Sequence, residues 1–260
     1  LTADGSQAFP CFRFDQISVF LQDQITLSDK FRLMAGVRFE LPTYPNVDEV
    51  KSHPLLNSLT FADGLTLDTG KLPKEQLMIS PRIGFDYDVL GDRSLILRGG
   101  SGIFTGRIPF VWIVSQSGDA GMLQSTQVLT GSDVPAFSPD ITANYPTTLP
   151  EAGTTLPTNI SLMDENLRFP TTWKSSLAVD YELPWGIQAT LEGIYNNDIN
   201  AVVAKNVNLV DPERLNVDGY GDNRYIYPAA NIDKYINKLD ANDLPSLTGT
   251  RAFVPTYLTN

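Results

Sequence analysis

The chain contains very few of the residues on which many enzymes and metal proteins depend. Its 260 residues include one cysteine, Cys11, and one histidine, His53. A single cysteine excludes an internal disulfide and a cysteine-based zinc cluster. A Cys–His or Ser-His-Asp site would depend on His53, and no catalytic motif surrounds it. We therefore expect no catalytic residue, no bound cofactor and no enzymatic activity.

The sequence also lacks a long apolar segment and an excess of positive charge. Hydrophobic residues make up 42% of the chain, but no run approaches the ~20 apolar residues of a transmembrane helix. A net charge of −11 argues against a nucleic-acid partner, which selects basic surfaces. The segment Leu1–Asp4 has neither the basic nor the apolar region of a signal peptide, so we expect a fragment or a mature segment.

What the sequence does contain is a set of segments in which polar and apolar residues alternate. Successive side chains of a strand point to opposite faces, so this alternation is typical of strands with one apolar and one polar face. In one such segment Phe31 and Leu33 share a face, while Arg32 and Arg38 share the other. The pattern predicts six strands, at about 16–27, 31–41, 79–89, 94–104, 172–183 and 187–199.

Short turns and long connections alternate between these strands. The turns are Ser28–Lys30, Leu90–Arg93 and Pro184–Gly186, and the connections span 42–78, 105–171 and 200–260. Barrels of outer membranes have this asymmetry, with short periplasmic turns and long extracellular loops. We therefore expect an all-β fold, an antiparallel meander of transmembrane β-barrel strands. Residues 1–199 would form a partial barrel segment and residues 200–260 an extracellular loop region.

The less regular segments of the connections also lead to structural predictions. Short strands are predicted within Phe110–Val114 and Met122–Leu129. The region after Asn200 is rich in Asn and Asp, and we expect it to be irregular and to end without a return strand. Aromatic residues near strand ends are typical of the belts at membrane interfaces; they are Phe31, Tyr87, Trp173, Tyr181, Trp185 and Tyr195.

Charged residues on the polar faces are the first candidate site. They are expected to face the lumen of the barrel and to form ion pairs across neighbouring strands, and they are Arg32, Arg38, Arg82, Asp86, Asp88 and Arg98. Ordinary solvation of a polar interior is the preferred explanation of their presence. A second candidate is a calcium site at Asp218, Asp222 and Asn223. Since the run lacks the later Glu of an EF-hand, a plain Asx-rich turn is the preferred interpretation.

Several strings resemble the barrel of TonB-dependent outer-membrane receptors, most of all the Oar-like group of Bacteroidetes-type bacteria. Ser18–Gln24 followed by Leu27–Phe39 is similar to a recurrent hairpin of that group. Ser80–Tyr87 and Leu97–Arg107 resemble the next two strands, and Trp173–Asp180 with Leu191–Tyr195 resemble the downstream hairpin. The strings cover roughly residues 14–200 in the order that the family has.

This resemblance implies a segment of a transporter for active uptake of a substrate across the outer membrane of a Gram-negative bacterium. It also implies a complete barrel of about 22 strands that encloses a plug domain. The partners would be outer-membrane lipid, the plug, a TonB-type energy-coupling protein that contacts parts outside this chain, and a substrate of unknown identity.

Two other functions remain open. A soluble all-β surface adhesin or carbohydrate-binding module would explain the acidic, Asn-rich loops, and its apolar faces would pack on each other. A secreted glycosidase needs two carboxyl groups about 5 Å apart in a cleft, and no motif selects such a pair.

Overall fold

The computed structural model describes residues 10–124, 129, 131–140, 142–144, 148, 150–210, 212–216, 218–219, 221, 224–226 and 232–260. Within these ranges the chain forms fourteen β-strands: β1 (Arg13–Ser28), β2 (Phe31–Asn46), β3 (Met78–Asp88), β4 (Leu95–Thr105), β5 (Asn159–Met163), β6 (Thr171–Leu183), β7 (Ile187–Asn200), β8 (Val203–Asn206), β9 (Glu213–Arg214), β10 (Tyr225–Ile226), β11 (Lys238–Leu239), β12 (Pro245–Ser246), β13 (Arg251–Ala252) and β14 (Val254–Thr259). The same ranges contain two α-helices, α1 (Pro54–Asn57) and α2 (Phe110–Gly118).

Six long strands form one antiparallel sheet in the order β1-β2-β3-β4-β6-β7. The all-β, antiparallel fold class is therefore confirmed, and each of the six predicted strands is present. The smallest outer-membrane barrels have about eight strands, so these six form part of a barrel wall. In the described part of the chain, β1 and β7 are the two open edges of this sheet.

The predicted end of the second strand, at about residue 41, is wrong by several residues. β2 continues to Asn46 beside β1, with Pro42 opposite Gln16, whereas its pairing with β3 stops at Glu40. Beyond Glu40 the strand has a neighbour on one side only. A proline without an N–H is tolerated at such an edge position, because no ladder hydrogen bond is lost there.

The register places most of the apolar residues of the six strands on one face. Directly opposite residues share a face of the sheet, and Leu33 of β2 lies opposite Phe85 of β3. The same row continues through Gly99 and Leu177 to Gly193. A register slip of one residue would move the apolar side chains of a strand to the polar face, so this alignment over four pairings fixes a continuous apolar surface.

The apolar surface is open to the surroundings and is not the core of the fold. Leu21 and Leu191 are 74% and 79% exposed. Apart from Ala178 of β6, the buried apolar residues lie in the three connections. The connections pack together at one end of the sheet into a unit that we call the loop cap (residues 47–77, 106–170 and 201–260, where described). One cluster of its core draws on all three connections: Leu56, Phe61, Leu67, Leu156, Ile160, Leu162, Leu239 and Phe253.

A second cluster joins the loop cap to the end of the sheet. Its buried members are Ile108, Ile113, Met163, Leu167, Phe169 and Leu258. Residues from the ends of β1, β2 and β3 pack against it, among them Phe14, Tyr44 and Met78. The ring centroids of Phe14 and Phe110 lie 5.0 Å apart. The cap therefore rests on the sheet through an apolar contact.

Two expectations about the connections are wrong. Phe110–Val114 is the first part of helix α2, not a strand. The region after Asn200 is not irregular throughout, because β14 pairs antiparallel with β8 and parallel with β5 in a separate sheet. Of the other predicted strand, Met122–Leu129, residues 125–128 lie outside the described residues, and residues 122–123 form a bend.

Candidate functional site: the polar face of the sheet

The polar face of the six-stranded sheet is the surface on which the sequence placed its charged candidates. One row of opposite residues runs from Arg32 through Asp86 to Arg98. Arg32 Nη2 lies 3.3 Å from Asp86 Oδ1. These three predicted residues are therefore brought together by the register of β2, β3 and β4.

Arg98 has a second acidic neighbour that the sequence reasoning did not select. Its Nε donates to Asp180 Oδ2 of β6 at 2.7 Å. The hydroxyl of Thr190 on β7 donates to the other oxygen of the same carboxylate, also at 2.7 Å. Asp180 thus connects three adjacent strands. Its position on the polar face of a predicted strand was the signal that could have identified it.

Arg38 forms a smaller network near the loop cap. Its Nη2 lies 2.8 Å from Glu40 Oε1, and Gln16 Nε2 donates to the same oxygen at 2.8 Å. Glu40 is only 7% exposed, so a neighbouring cation is needed to stabilise its charge. Glu40 and Gln16 were not among the predicted site residues.

The remaining two predicted residues have different surroundings. Asp88 lies at the end of β3, where its carboxylate accepts from the backbone N–H groups of Gly91 and Arg93 at 2.7 and 3.0 Å. It therefore stabilises the turn to β4. Arg82 makes no hydrogen bond or ion pair with any residue in the described ranges, and it borders two depressions in the polar face.

The larger depression has a volume of about 730 Å³. Small residues on the polar face, Gly84, Gly100 and Gly102, form its floor, and Arg82 and Lys174 stand on either side of Gly102. This volume lies in the range of small-molecule sites, about 300–1,000 Å³.

Aromatic residues form two bands on the sheet. Tyr181 and the fully exposed Trp185 lie at the turn end, and Trp173 and Tyr195 lie towards the cap. Eight residue steps separate Trp173 from Tyr181, which is about 27 Å along a strand. Barrel strands tilt by about 35–45°, so this length spans about 20 Å of height, close to the apolar band of about 25 Å that aromatic girdles flank in outer-membrane barrels.

His53 is a structural residue of the loop cap. It is completely buried, its Nδ1 accepts from the N–H of Leu56 at 3.4 Å, and its Nε2 lies 3.0 Å from the carbonyl oxygen of Thr155. A carbonyl only accepts, so Nε2 carries the proton. Burial lowers the pKa of the His53 imidazole. With both nitrogens engaged by backbone groups, the ring is not free to act as a general base.

Most of the predicted calcium site lies outside the described residues. Asp222 and Asn223 are not among the described residues, and Asp218 lies in an exposed turn. Within the ranges that are described, no group of three or more His, Cys, Asp or Glu side chains could hold a metal ion. No helix in those ranges is long and apolar enough to cross a membrane.

An antiparallel sheet with one exposed apolar face, one polar face and two aromatic bands defines the wall of a transmembrane β-barrel. The family model described as "Outer membrane beta barrel domain" matches residues 2–245. The chain therefore belongs to this family, and its location is the outer membrane of a Gram-negative bacterium. A comparison with curated proteins found no match.

Proposed function

We propose that the chain is the wall segment and loop cap of a TonB-dependent transporter of the Oar-like type, which takes up a substrate across the outer membrane. The observation that carries this proposal is the asymmetry of the two ends of the sheet. One end has turns of a few residues, and the other has a cap with its own apolar core. Long ordered loops at one mouth of a barrel offer a binding surface for a solute on its way in.

The positions of the family-like strings support the same proposal. Ser18–Gln24 and Leu27–Phe39 lie on the β1–β2 hairpin, and Ser80–Tyr87 lies on β3. The later strings lie on β4, β6 and β7 in the same order. Strings that belong to consecutive barrel strands in the receptors therefore lie on consecutive strands of this sheet.

The remaining parts of the proposal concern orientation and partners. We infer that the cap is extracellular, that the polar face lines the lumen and that the apolar face contacts lipid. The plug and the segment that contacts a TonB-type protein would belong to parts outside this chain. The role is transport and not catalysis, with no cofactor. Membership in the outer-membrane family favours this interpretation over a soluble binding module.

Binding of the coupling protein tests the proposal. The full-length protein that contains this chain is folded in detergent and titrated with the purified periplasmic domain of a TonB-type protein. We expect saturable binding to the full-length protein and none to the 260-residue chain. Absence of binding to the folded full-length protein would reject TonB dependence and leave an outer-membrane barrel of another kind.

A further inference from the structure

The polar face carries basic side chains that have no partner among the described residues, although the chain as a whole has a net charge of −11. Arg32, Arg38 and Arg98 each form an ion pair. Arg82 and Arg107 form no hydrogen bond or ion pair with any residue in the described part of the chain. Unpaired guanidinium groups with five donors each favour oxyanions, which they bind through two parallel hydrogen bonds.

Arg82 and Arg107 line the same small depression at the cap end of the sheet. Its volume is about 270 Å³, and it lies next to the larger depression, with which it shares Arg82 and Phe104. Ser80 and Thr105 add two hydroxyl groups to its wall. Their oxygens lie 3.5 Å apart, at the limit of a hydrogen bond, so each hydroxyl is able to turn towards a ligand.

The acidic charge at this depression is already neutralised by protein groups. Among the described residues of the wall, the only carboxylate is that of Glu40, and it is already bound by Arg38 and Gln16.

We propose that this depression is a binding site for a small oxyanion. Arg82 and Arg107 bind the anionic oxygens, and the hydroxyl groups of Ser80 and Thr105 donate to them. Both phosphate-bearing and carboxylate-bearing solutes offer this chemistry. Such a site is independent of TonB coupling, because it requires only that the polar face is accessible to solutes.

Isothermal titration of the full-length protein that contains this chain, folded in detergent micelles, tests this site. The probes are glycerol 3-phosphate and malate, which distinguish a phosphate from a carboxylate. We expect saturable binding of one or both.

Substitutions then locate the binding. R82Q and R107Q should each weaken binding about tenfold, the usual effect of losing a charge-assisted hydrogen bond. R13Q removes the same charge from an exposed position at which Arg13 pairs with Asp15, and it should leave affinity unchanged. Far-UV circular dichroism and the melting temperature show whether each variant is folded. No binding by the folded protein, or equal affinity in folded R82Q/R107Q, would overturn the proposal.

Discussion

Buried polar side chains hold the loop cap together at the scale of single residues. Gln116 of α2 is fully buried. Its Nε2 donates to the carbonyl oxygens of Thr69 and Lys71 at 2.9 and 2.6 Å, and its Oε1 accepts from the N–H of Met163 at 2.8 Å. One amide therefore satisfies three backbone groups in two different connections.

Replacing Gln116 by leucine should strongly destabilise the cap. Leucine is similar in size but leaves those three backbone groups buried without a partner. Each such group costs about 1–3 kcal/mol, so we expect Q116L to lose about 3 kcal/mol or more. Urea unfolding would be followed by the fluorescence of Trp112, the one tryptophan in the cap, in a background with Trp173→Phe and Trp185→Phe.

A second glutamine provides the control for this measurement. Among the residues that the structure describes, Gln124 donates to the carboxylate of Asp119 alone, in an exposed hydrogen bond of 3.0 Å. Q124L should change the free energy of unfolding by less than about 0.5 kcal/mol, as surface substitutions usually do. Equal losses in Q116L and Q124L would show that Gln116 does not organise the cap.

His53 makes the stability of the cap depend on pH. Its pKa in the folded state is lowered, chiefly by burial, from about 6.5 in an unfolded chain. The folded state therefore prefers the neutral ring, and the stability present above about pH 6.5 is lost as the pH falls towards the folded pKa. The slope reaches at most about 1.4 kcal/mol per pH unit.

The variant H53N isolates this contribution. Asparagine keeps the ability to cap the N-terminus of α1 but does not titrate. Between about pH 7.5 and pH 5.5, bracketing the imidazole pKa, the melting temperature of the cap should fall in the unchanged protein and stay nearly constant in H53N. Glu165 contributes little in this window, because hydrogen bonds from Lys74 and Lys71 hold its pKa below the usual range. A parallel fall in both proteins would assign the pH dependence to other groups.

At this scale the sequence predicted the kind of residue on the polar face but not its partners. Arg98 and Asp180 are 82 positions apart, and only the order of the strands in the sheet brings them together. Nothing in the sequence indicated that Gln116 and His53 hold the cap together. Their hydrogen bonds go to backbone groups of distant loops, and any polar residue type could have made such bonds.

At the scale of elements, one glycine is required by the packing of its neighbours. Gly99 of β4 lies opposite Phe85 of β3 and Leu177 of β6. A Cβ at Gly99 would lie 2.9 Å from Phe85 Cε1 and 2.9 Å from the carbonyl oxygen of Ser176. The second of these neighbours is backbone within the ladder, so it cannot move aside without breaking the pairing.

The same row of the sheet supplies a matched control. Gly193 of β7 also lies opposite Leu177, but its nearest neighbour would be 4.0 Å from a Cβ. We expect G99A to lose about 1–3 kcal/mol through overpacking. G193A should be neutral or gain about 0.4–1 kcal/mol, because alanine restricts the unfolded chain. Urea unfolding in detergent micelles measures both. Equal effects would mean that the β3–β4 pairing tolerates a side chain at Gly99.

The strands were predictable because their signal repeats every two residues and is local. Helix α2 was not, since its apolar and β-branched start, Phe110–Val114, favours a strand by propensity. The chain is helical there because Ile113 packs in the second core cluster and Gln116 bonds to the backbone of the 47–77 connection and of β5. Tertiary contacts outweigh intrinsic preference in this segment.

At the scale of the whole molecule, two parts are stabilised in different ways. The sheet is stabilised by the hydrogen bonds between its strands and by the environment that covers its apolar face. The cap has buried apolar clusters of its own. The first cluster combines Leu56, Leu156 and Leu239, which lie about a hundred positions apart. No periodicity links them, which is why the sequence predicted irregular loops where the structure has a packed unit.

Two substitutions at adjacent positions of β7 test whether the apolar face contacts lipid. Leu191 is 79% exposed on the apolar face, and Thr190 lies beside it on the polar face, opposite Asp180. The two positions differ by one residue in depth. In a soluble protein an arginine at an exposed leucine is harmless, but on the lipid face of a barrel it costs up to about 2–4 kcal/mol near the bilayer centre.

We therefore expect L191R to fold poorly into lipid vesicles. T190R should fold nearly as well as the unchanged protein, because the arginine that replaces Thr190 would lie beside the carboxylate of Asp180 on the polar face. The fraction folded is measured from the shift in electrophoretic mobility of unheated samples, with the full-length barrel as the host. Both variants should fold in detergent, where the micelle adapts to a charge. If L191R and T190R inserted into vesicles equally well, the apolar face would be covered by protein and not by lipid, and the assignment of the two faces would have to be reversed or abandoned.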